Sequence, residues 1–133
     1  MISTKKRTVL VVDDDPQIFK IISRLLDTDR YEVTAALDGF EALKKIQRDP
    51  PDLLILDLMM PGMSGFEVCE KIKKDFSDYS IMILILSAKD SQNDRRRCFE
   101  MGVDDYVTKP FHIASLARKI EYMFEKFKNI SMS

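Results

Sequence analysis

The stretch TVLVVDDDP, residues 8–16, decides the fold of this 133-residue chain. Its first half is an apolar, β-branched run that is typical of a buried strand, and the run stops at three aspartates. Asp15 followed by Pro16 is typical of a helix N-cap and a first helical residue. Apolar residues then recur at helical spacing up to Leu26. The stretch therefore predicts a strand that leads through an acidic turn directly into an amphipathic helix.

The same alternation of strand and helix continues along the rest of the chain. Apolar residues that alternate with polar ones predict a less buried strand, nearer a sheet edge, at residues 31–35. Apolar runs predict strands at residues 53–56 and 81–86, and a brief one follows at 106–107. Each run is followed by apolar residues at helical spacing. This spacing places Phe40 in the apolar face of the second helix, and Ile113 and Phe127 in that of the fifth. The fourth helix, residues 91–101, is the least apolar because three consecutive arginines interrupt it.

Five strand–helix pairs predict an α/β fold. No repeat or linker interrupts them, so we expect a five-stranded parallel sheet with helices on both faces, a (βα)5 three-layer sandwich. The first, third and fourth strands are the most apolar and belong in the centre, and the flavodoxin-like strand order 2-1-3-4-5 satisfies this. A single domain accounts for residues 1–133, with a core from about residue 8 to residue 127 and short tails.

The composition excludes several classes of protein. With 21 basic and 22 acidic residues the formal net charge is -1. This excludes a domain that binds nucleic acid through a large overall positive charge. No apolar run approaches the ~20 residues of a membrane span, and the basic N-terminus lacks the apolar core of a signal peptide. Cys69 and Cys98 are isolated and do not form a disulfide framework. We therefore expect a cytoplasmic protein that binds neither membranes nor nucleic acid directly.

Polar residues follow the predicted strands at one edge of the sheet. Asp13 and Asp14 follow the first strand, Asp57 the third, Ser87 the fourth and Lys109 the fifth. In the order 2-1-3-4-5 the first and third strands are neighbours, so the three aspartates meet. Two carboxylates ~4 Å apart repel by ~4 kcal/mol at an effective dielectric near 20, so a cationic partner is expected. A hard divalent cation such as Mg²⁺ meets that need, and the site predicts a phosphoryl group attached to a carboxylate.

Each of these residues also has a plainer interpretation when it is taken singly. An aspartate at a strand end is often a turn or capping residue, and Ser87 or Lys109 alone does not indicate a functional site. Their joint placement after four strands favours the functional interpretation. No Gly-rich loop follows the first strand, which disfavours nucleotide binding. The consecutive residues Arg95, Arg96 and Arg97 lie ~100° apart around a helix, which favours a solvated face.

Four sequence blocks resemble the receiver domain of two-component response regulators, and in particular chemotaxis-type regulators. They occur in the family's order and spacing: VVDDDP at residues 11–16, LDLMMPG at 56–62, SA at 87–88 and YVTKPF at 106–111. The resemblance implies that Asp57 accepts a phosphoryl group from a sensor histidine kinase or a histidine phosphotransfer protein. It also implies that Asp13, Asp14, Asp57 and the backbone carbonyl of Met59 hold Mg²⁺, with Mn²⁺ as a substitute.

The resemblance further implies how the signal leaves the site. Lys109 would pair with the phosphoryl oxygens, and the Ser87 hydroxyl would move to hydrogen-bond the new phosphate. Tyr106 would then swing into the space that Ser87 vacates and alter the surface that binds a downstream effector or a covalently following output domain. Such a protein is not an enzyme beyond its own phosphorylation and dephosphorylation. It is expected to be a monomer or a phosphorylation-induced dimer.

Several alternatives stay open on the sequence. The chain fits a stand-alone regulator and also the excised receiver of a longer protein. A structural receiver that is never phosphorylated, and acts as an interaction module, is a second functional class. A metal-dependent phosphohydrolase is disfavoured, because its DxDx(T/V) signature would require Thr or Val at Gln17.

Overall fold

The computed structural model describes residues 5–132, with side chains described over residues 5–126. Residues 1–4, residue 133 and the side chains from Phe127 onward lie outside the described residues. Within the described chain, five strands alternate with five helices: β1 (Arg7–Val12), α1 (Pro16–Leu25), β2 (Tyr31–Ala36), α2 (Gly39–Arg48), β3 (Leu53–Leu56), α3 (Gly65–Asp75), β4 (Met82–Ser87), α4 (Gln92–Glu100), β5 (Asp105–Thr108) and α5 (Ile113–Met132).

The strands form one parallel sheet in the order β2-β1-β3-β4-β5, which confirms the predicted fold. The neighbouring strands β1 and β3 are in register, with Val9 opposite Leu53 and Val12 opposite Leu56. Because both strands end at the same level, the residues that follow them emerge side by side. This register sets the position of the candidate site.

Helices cover both faces of the sheet, as the pattern predicts. Successive strand residues point to opposite faces. On one face Leu54 and Leu56 pack with the buried side chains of α2, α3 and α4, and on the other Leu53 and Ile55 pack with those of α1 and α5. The wholly apolar β3 is therefore buried from both sides. Among the helices of the described chain, none has the combined length and apolarity that crossing a bilayer requires.

Helix starts follow the capping pattern read from the sequence. The Asp15 carboxylate accepts the backbone N–H of Gln17 and caps α1, with Pro16 in its first turn. The Asp38 carboxylate caps α2 by accepting the N–H of Glu41 at 2.8 Å. These N-caps satisfy N–H groups that have no partner inside the helix, and each helix begins just after the strand end at the sheet edge that carries the site.

Two predictions about the apolar faces are wrong. Phe40 in α2 and Ile113 in α5 were predicted to be core residues, yet they are 60% and 55% exposed. Both lie in the first turn of their helix, next to the loop that leaves the sheet edge. Helical periodicity gives the direction of a side chain around the axis, but it does not tell whether the sheet extends beneath that turn.

Candidate functional site

Three carboxylates cluster where β1 and β3 end. One carboxylate oxygen from each of Asp13, Asp14 and Asp57 lies within 4.8 Å of the others. Asp13 and Asp57 are 4% and 6% exposed, whereas Asp14 is open to solvent. The cluster is thus buried on the sheet side and reachable from solvent past Asp14. This brings together the three aspartates that the sequence predicted to meet.

Local backbone bonds fix the orientation of the two buried carboxylates. Asp13 Oδ1 accepts the backbone N–H of Asp15 at 2.9 Å, and Asp57 Oδ1 accepts that of Met59 at 3.1 Å. Each carboxylate therefore keeps its other oxygen for a second partner. Met59, whose carbonyl was predicted to be a metal ligand, lies directly beside Asp57 in this turn.

Lys109 brings a positive charge to the cluster from the end of β5. Its Nζ donates to Asp13 Oδ2 at 2.7 Å and lies 3.6 Å from Asp57 Oδ2. Its backbone N–H donates to the carbonyl of Ser87 at 2.9 Å, which ties β5 to the end of β4. Burial by itself lowers the pKa of Lys109, but the two carboxylates outweigh burial and raise that pKa. Lys109 is therefore a cation at neutral pH.

The charge of the cluster fits a divalent cation. Burial raises the pKa of Asp13, and the hydrogen bond from Lys109 opposes that rise. Three carboxylates facing one ammonium group leave two net negative charges in a small volume. Carboxylate oxygens at this spacing are the ligands that Mg²⁺ and similar hard ions prefer. The donor set therefore fits the predicted ion.

The two remaining predicted site residues both bond to the backbone of Lys89, in the loop between β4 and α4. Ser87 is fully buried at the end of β4, and its Oγ accepts the N–H of Lys89 at 3.3 Å. Tyr106 on β5 is 6% exposed, and its hydroxyl donates to the carbonyl of Lys89. The Tyr106 ring therefore already lies inward, in the orientation that the resemblance implies only after Ser87 has moved, although Ser87 still accepts the Lys89 N–H. The two hydroxyls bond to the backbone of the same loop residue.

The sequence analysis missed Gly65, the first residue of α3. A Cβ at this position would lie 2.3 Å from the carbonyl oxygen of Asp57 and 2.7 Å from Leu58 Cα. The N–H of Gly65 also donates to the carbonyl of Leu58 at 3.1 Å. The helix start and the segment carrying Asp57 approach so closely that a side chain does not fit. The second glycine in the PGMSG loop is the signal that could have indicated this.

Gly65→Ala is expected to lower the free energy of unfolding by about 2 kcal/mol, because the added methyl overlaps backbone atoms that cannot rotate away. Urea unfolding followed by circular dichroism measures the change. Lys71→Ala, at an exposed position of the same helix, is the control and should stay within about 0.5 kcal/mol of wild type. Equal stability of the two variants would contradict the close approach.

Arg95 makes a contact that the sequence did not indicate. Its side chain is 40% exposed, on the solvated face predicted for the three arginines, but its guanidinium carbon also lies 4.5 Å from the centre of the Tyr106 ring on β5. Arg97 packs on Phe66 in the same way, at 4.0 Å. Three consecutive arginines carry no signal for this, since the aromatic partners come from other elements.

Comparison with known proteins gives a consistent result. Residues 9–121 match the family model described as the response regulator receiver domain. A probable transcriptional regulatory protein, TcrX, of Mycobacterium tuberculosis is 37% identical over 119 residues, which are 90% of this chain and 50% of that protein. Hybrid signal transduction histidine kinase D of Dictyostelium discoideum is 41% identical over 115 residues, 86% of this chain and 7% of that protein.

Solved structures agree with the family match. A CheY-like response regulator receiver domain protein from Methanospirillum hungatei superposes with a TM-score of 0.84 at 26% identity, covering 94% of this chain and 98% of that one. The chain spans about half the length of the first curated relatives it matches. By contrast, it covers nearly all of the receiver domain protein from Methanospirillum hungatei.

Proposed function

The chain belongs to the response regulator receiver domain family of two-component systems, and from that premise we propose that it is a switch in which Asp57 accepts a phosphoryl group. The donor is a phosphohistidine on a sensor histidine kinase or on a histidine phosphotransfer protein. One observation carries the proposal: the buried Asp57 carboxylate lies beside two more carboxylates and 3.6 Å from the ammonium group of Lys109. The family is a signalling family, and the reaction is limited to the protein's own phosphoryl group.

The chemistry is an in-line transfer. One carboxylate oxygen of Asp57 attacks phosphorus, a P–O bond forms, and the P–N bond to the donor imidazole breaks with its electron pair leaving on that nitrogen. The product is an acyl phosphate. Lys109 supplies a cation next to the incoming phosphoryl oxygens, and such fixed charges stabilise a transition state in which charge builds up. The hydrogen bond from Lys109 Nζ to Asp13 Oδ2, at 2.7 Å, already places the ammonium group beside the carboxylate cluster.

Asp13, Asp14, Asp57 and the backbone carbonyl of Met59 would hold Mg²⁺, for which Mn²⁺ can substitute. Bound there, the ion would supply the positive charge that an anionic carboxylate needs to approach an anionic phosphoryl group. The two net negative charges of the cluster support this assignment, because they match a divalent cation.

Ser87 and Tyr106 transmit the change. We expect Ser87 Oγ to exchange the Lys89 N–H for a phosphoryl oxygen, and Tyr106 to occupy the space that Ser87 vacates. In that inward orientation the Tyr106 hydroxyl donates to the Lys89 carbonyl, in the loop between β4 and α4. Movement of this loop changes the surface formed by α4, β5 and α5. A downstream effector or an output domain would bind that surface. Relatives about twice as long as this chain have room for such an output domain.

The test is intact-mass spectrometry after incubation with acetyl phosphate. With Mg²⁺ the protein is expected to gain the mass of one phosphoryl group, with Mn²⁺ to gain it as well, and with EDTA to gain none. An equal gain of phosphoryl mass in EDTA would contradict the assignment of a metal ion to the site. Absence of gain together with unchanged NMR spectra on adding beryllofluoride and Mg²⁺ would favour the interaction module that is never phosphorylated.

A further inference from the structure

Three exposed apolar side chains border the carboxylate cluster, and we call them the apolar rim. They are Leu37, Phe40 and Met59, which are 47%, 60% and 54% exposed. Single apolar side chains on a surface are ordinary, but several of them grouped beside a reaction site indicate a surface that a partner covers. The proposed function uses the backbone of Met59 and assigns no role to the three side chains.

Backbone hydrogen bonds place two members of the apolar rim next to the cluster. Leu37 directly follows Ala36, whose carbonyl accepts the N–H of Asp13 at 3.2 Å. Met59 lies two residues after Asp57 and donates its N–H to that carboxylate at 3.1 Å. The two side chains therefore emerge from loops that are bonded directly to the two buried carboxyl residues.

Phe40 lies between these two loops. It belongs to the first turn of α2, and its Cε2 is 3.7 Å from the position that a Cβ on Gly62 would take, in the loop after β3. The start of α2 also packs on this loop, since a Cβ on Gly39 would lie 2.8 Å from the sulfur of Met63. The apolar rim is therefore one surface on the α2 side of the cluster.

The position of Asp57 requires a protein donor to cover the surface around it. Asp57 is 6% exposed, and transfer needs the phosphorus within about 3.5 Å of its oxygen. A phosphohistidine carried on a folded domain meets that condition only if the domain contacts the loops beside the cluster. Asp14 and Asp15 are exposed there, and the cluster carries two net negative charges, so basic side chains of the partner are complementary to it.

We propose that the apolar rim is a docking surface for the phosphohistidine-bearing domain of the donor. That domain would present apolar side chains beside its histidine and basic side chains around them. The inference rests on the proposed function, because it names the surface through which the same site meets its partner. Acetyl phosphate is small enough to reach Asp57 without this surface.

The experiment therefore compares a protein donor with acetyl phosphate on the same variants. The protein donor is the transmitter region of a sensor histidine kinase, labelled on its histidine with radioactive ATP, freed of nucleotide and chosen because it phosphorylates the wild-type protein. The variants are Phe40→Ser, Leu37→Ser and the two combined. The rate of label transfer is measured against the concentration of the receiver, and the gain from acetyl phosphate is measured by intact mass.

Phe40→Ser should lower kcat/KM for transfer from the kinase by about tenfold, mainly by raising KM, and the combined variant should lower it further. The gain from acetyl phosphate should stay within about twofold of wild type for each variant. Phe40→Leu keeps an apolar side chain and should restore most of the transfer. Tyr79→Ser is the matched control, because Tyr79 is 48% exposed but precedes β4, at the opposite edge of the sheet.

Transfer from the kinase that is equal in the combined variant and wild type would overturn the inference and leave the proposed function intact. An equal fall with both donors would overturn it as well, because the substitutions would then act on the site itself. A wild-type dimer in sedimentation velocity that the combined variant converts to a monomer would assign the apolar rim to a second copy of the chain instead. Failure of the wild-type protein with every donor would overturn both the proposed function and this inference.

Discussion

Asp57→Ala is expected to abolish phosphoryl gain from acetyl phosphate in the presence of Mg²⁺, the largest effect predicted for this protein. The variant removes the carboxylate oxygen that attacks phosphorus, and in the proposed site Asp13 and Asp14 are assigned to the metal ion, not to the transfer. Intact-mass spectrometry measures the loss directly. A phosphoryl group retained by the variant would show that the acceptor is another residue.

Two further variants make this result specific to the site. Asp57→Asn keeps the shape of the side chain and an acceptor for the Met59 N–H, so it separates loss of the nucleophile from local rearrangement. It should also fail to gain a phosphoryl group. Asp78→Ala removes an exposed carboxylate from the turn before β4 and should gain the group as wild type does. Loss of the gain in Asp78→Ala would indicate a general effect of removing charge.

The sequence predicted the fold because two periodicities alternate without interruption, and parallel α/β sheets permit few arrangements. It also predicted the meeting of Asp13, Asp14 and Asp57. Residues that end neighbouring parallel strands must lie at the same edge, and the observed register of Val12 opposite Leu56 meets that condition. Strand order and strand ends therefore suffice to place side chains that follow strands directly.

Residues further from a strand end were harder to place. Phe40 and Ile113 have the spacing of core residues, yet each lies in the first turn of its helix and is more than half exposed. Arg95 has the surroundings of a surface residue in sequence, yet it packs on Tyr106 because β5 lies beside α4. Gly65 is small because α3 begins against the backbone of Asp57. All four depend on where one element ends relative to another, which the local sequence does not encode.

Lys109→Ala is expected to lower the free energy of unfolding by about 3 kcal/mol in metal-free buffer, because it leaves two buried carboxylates without their cation. Mg²⁺ should restore more stability to this variant than it adds to wild type, since Lys109 no longer competes for the oxygens of Asp13 and Asp57. Urea unfolding followed by circular dichroism, with and without Mg²⁺, measures both effects. Lys119→Ala breaks a more exposed ion pair with Asp105 and should cost less than about 1 kcal/mol.

The loss of unfolding free energy in Lys109→Ala, called the deficit below, should depend on pH. Its direction follows from the raised pKa of Asp13. Burial raises the pKa of Asp13 even with Lys109 present, so removing that cation raises the pKa further. A carboxyl whose pKa is higher in the folded state than in the unfolded state destabilises the fold as pH rises through that range. The deficit should therefore be larger near pH 7 than near pH 4. A deficit that is independent of pH and of Mg²⁺ would mean that Lys109 stabilises the protein by packing alone, and that its charge is not what balances the cluster.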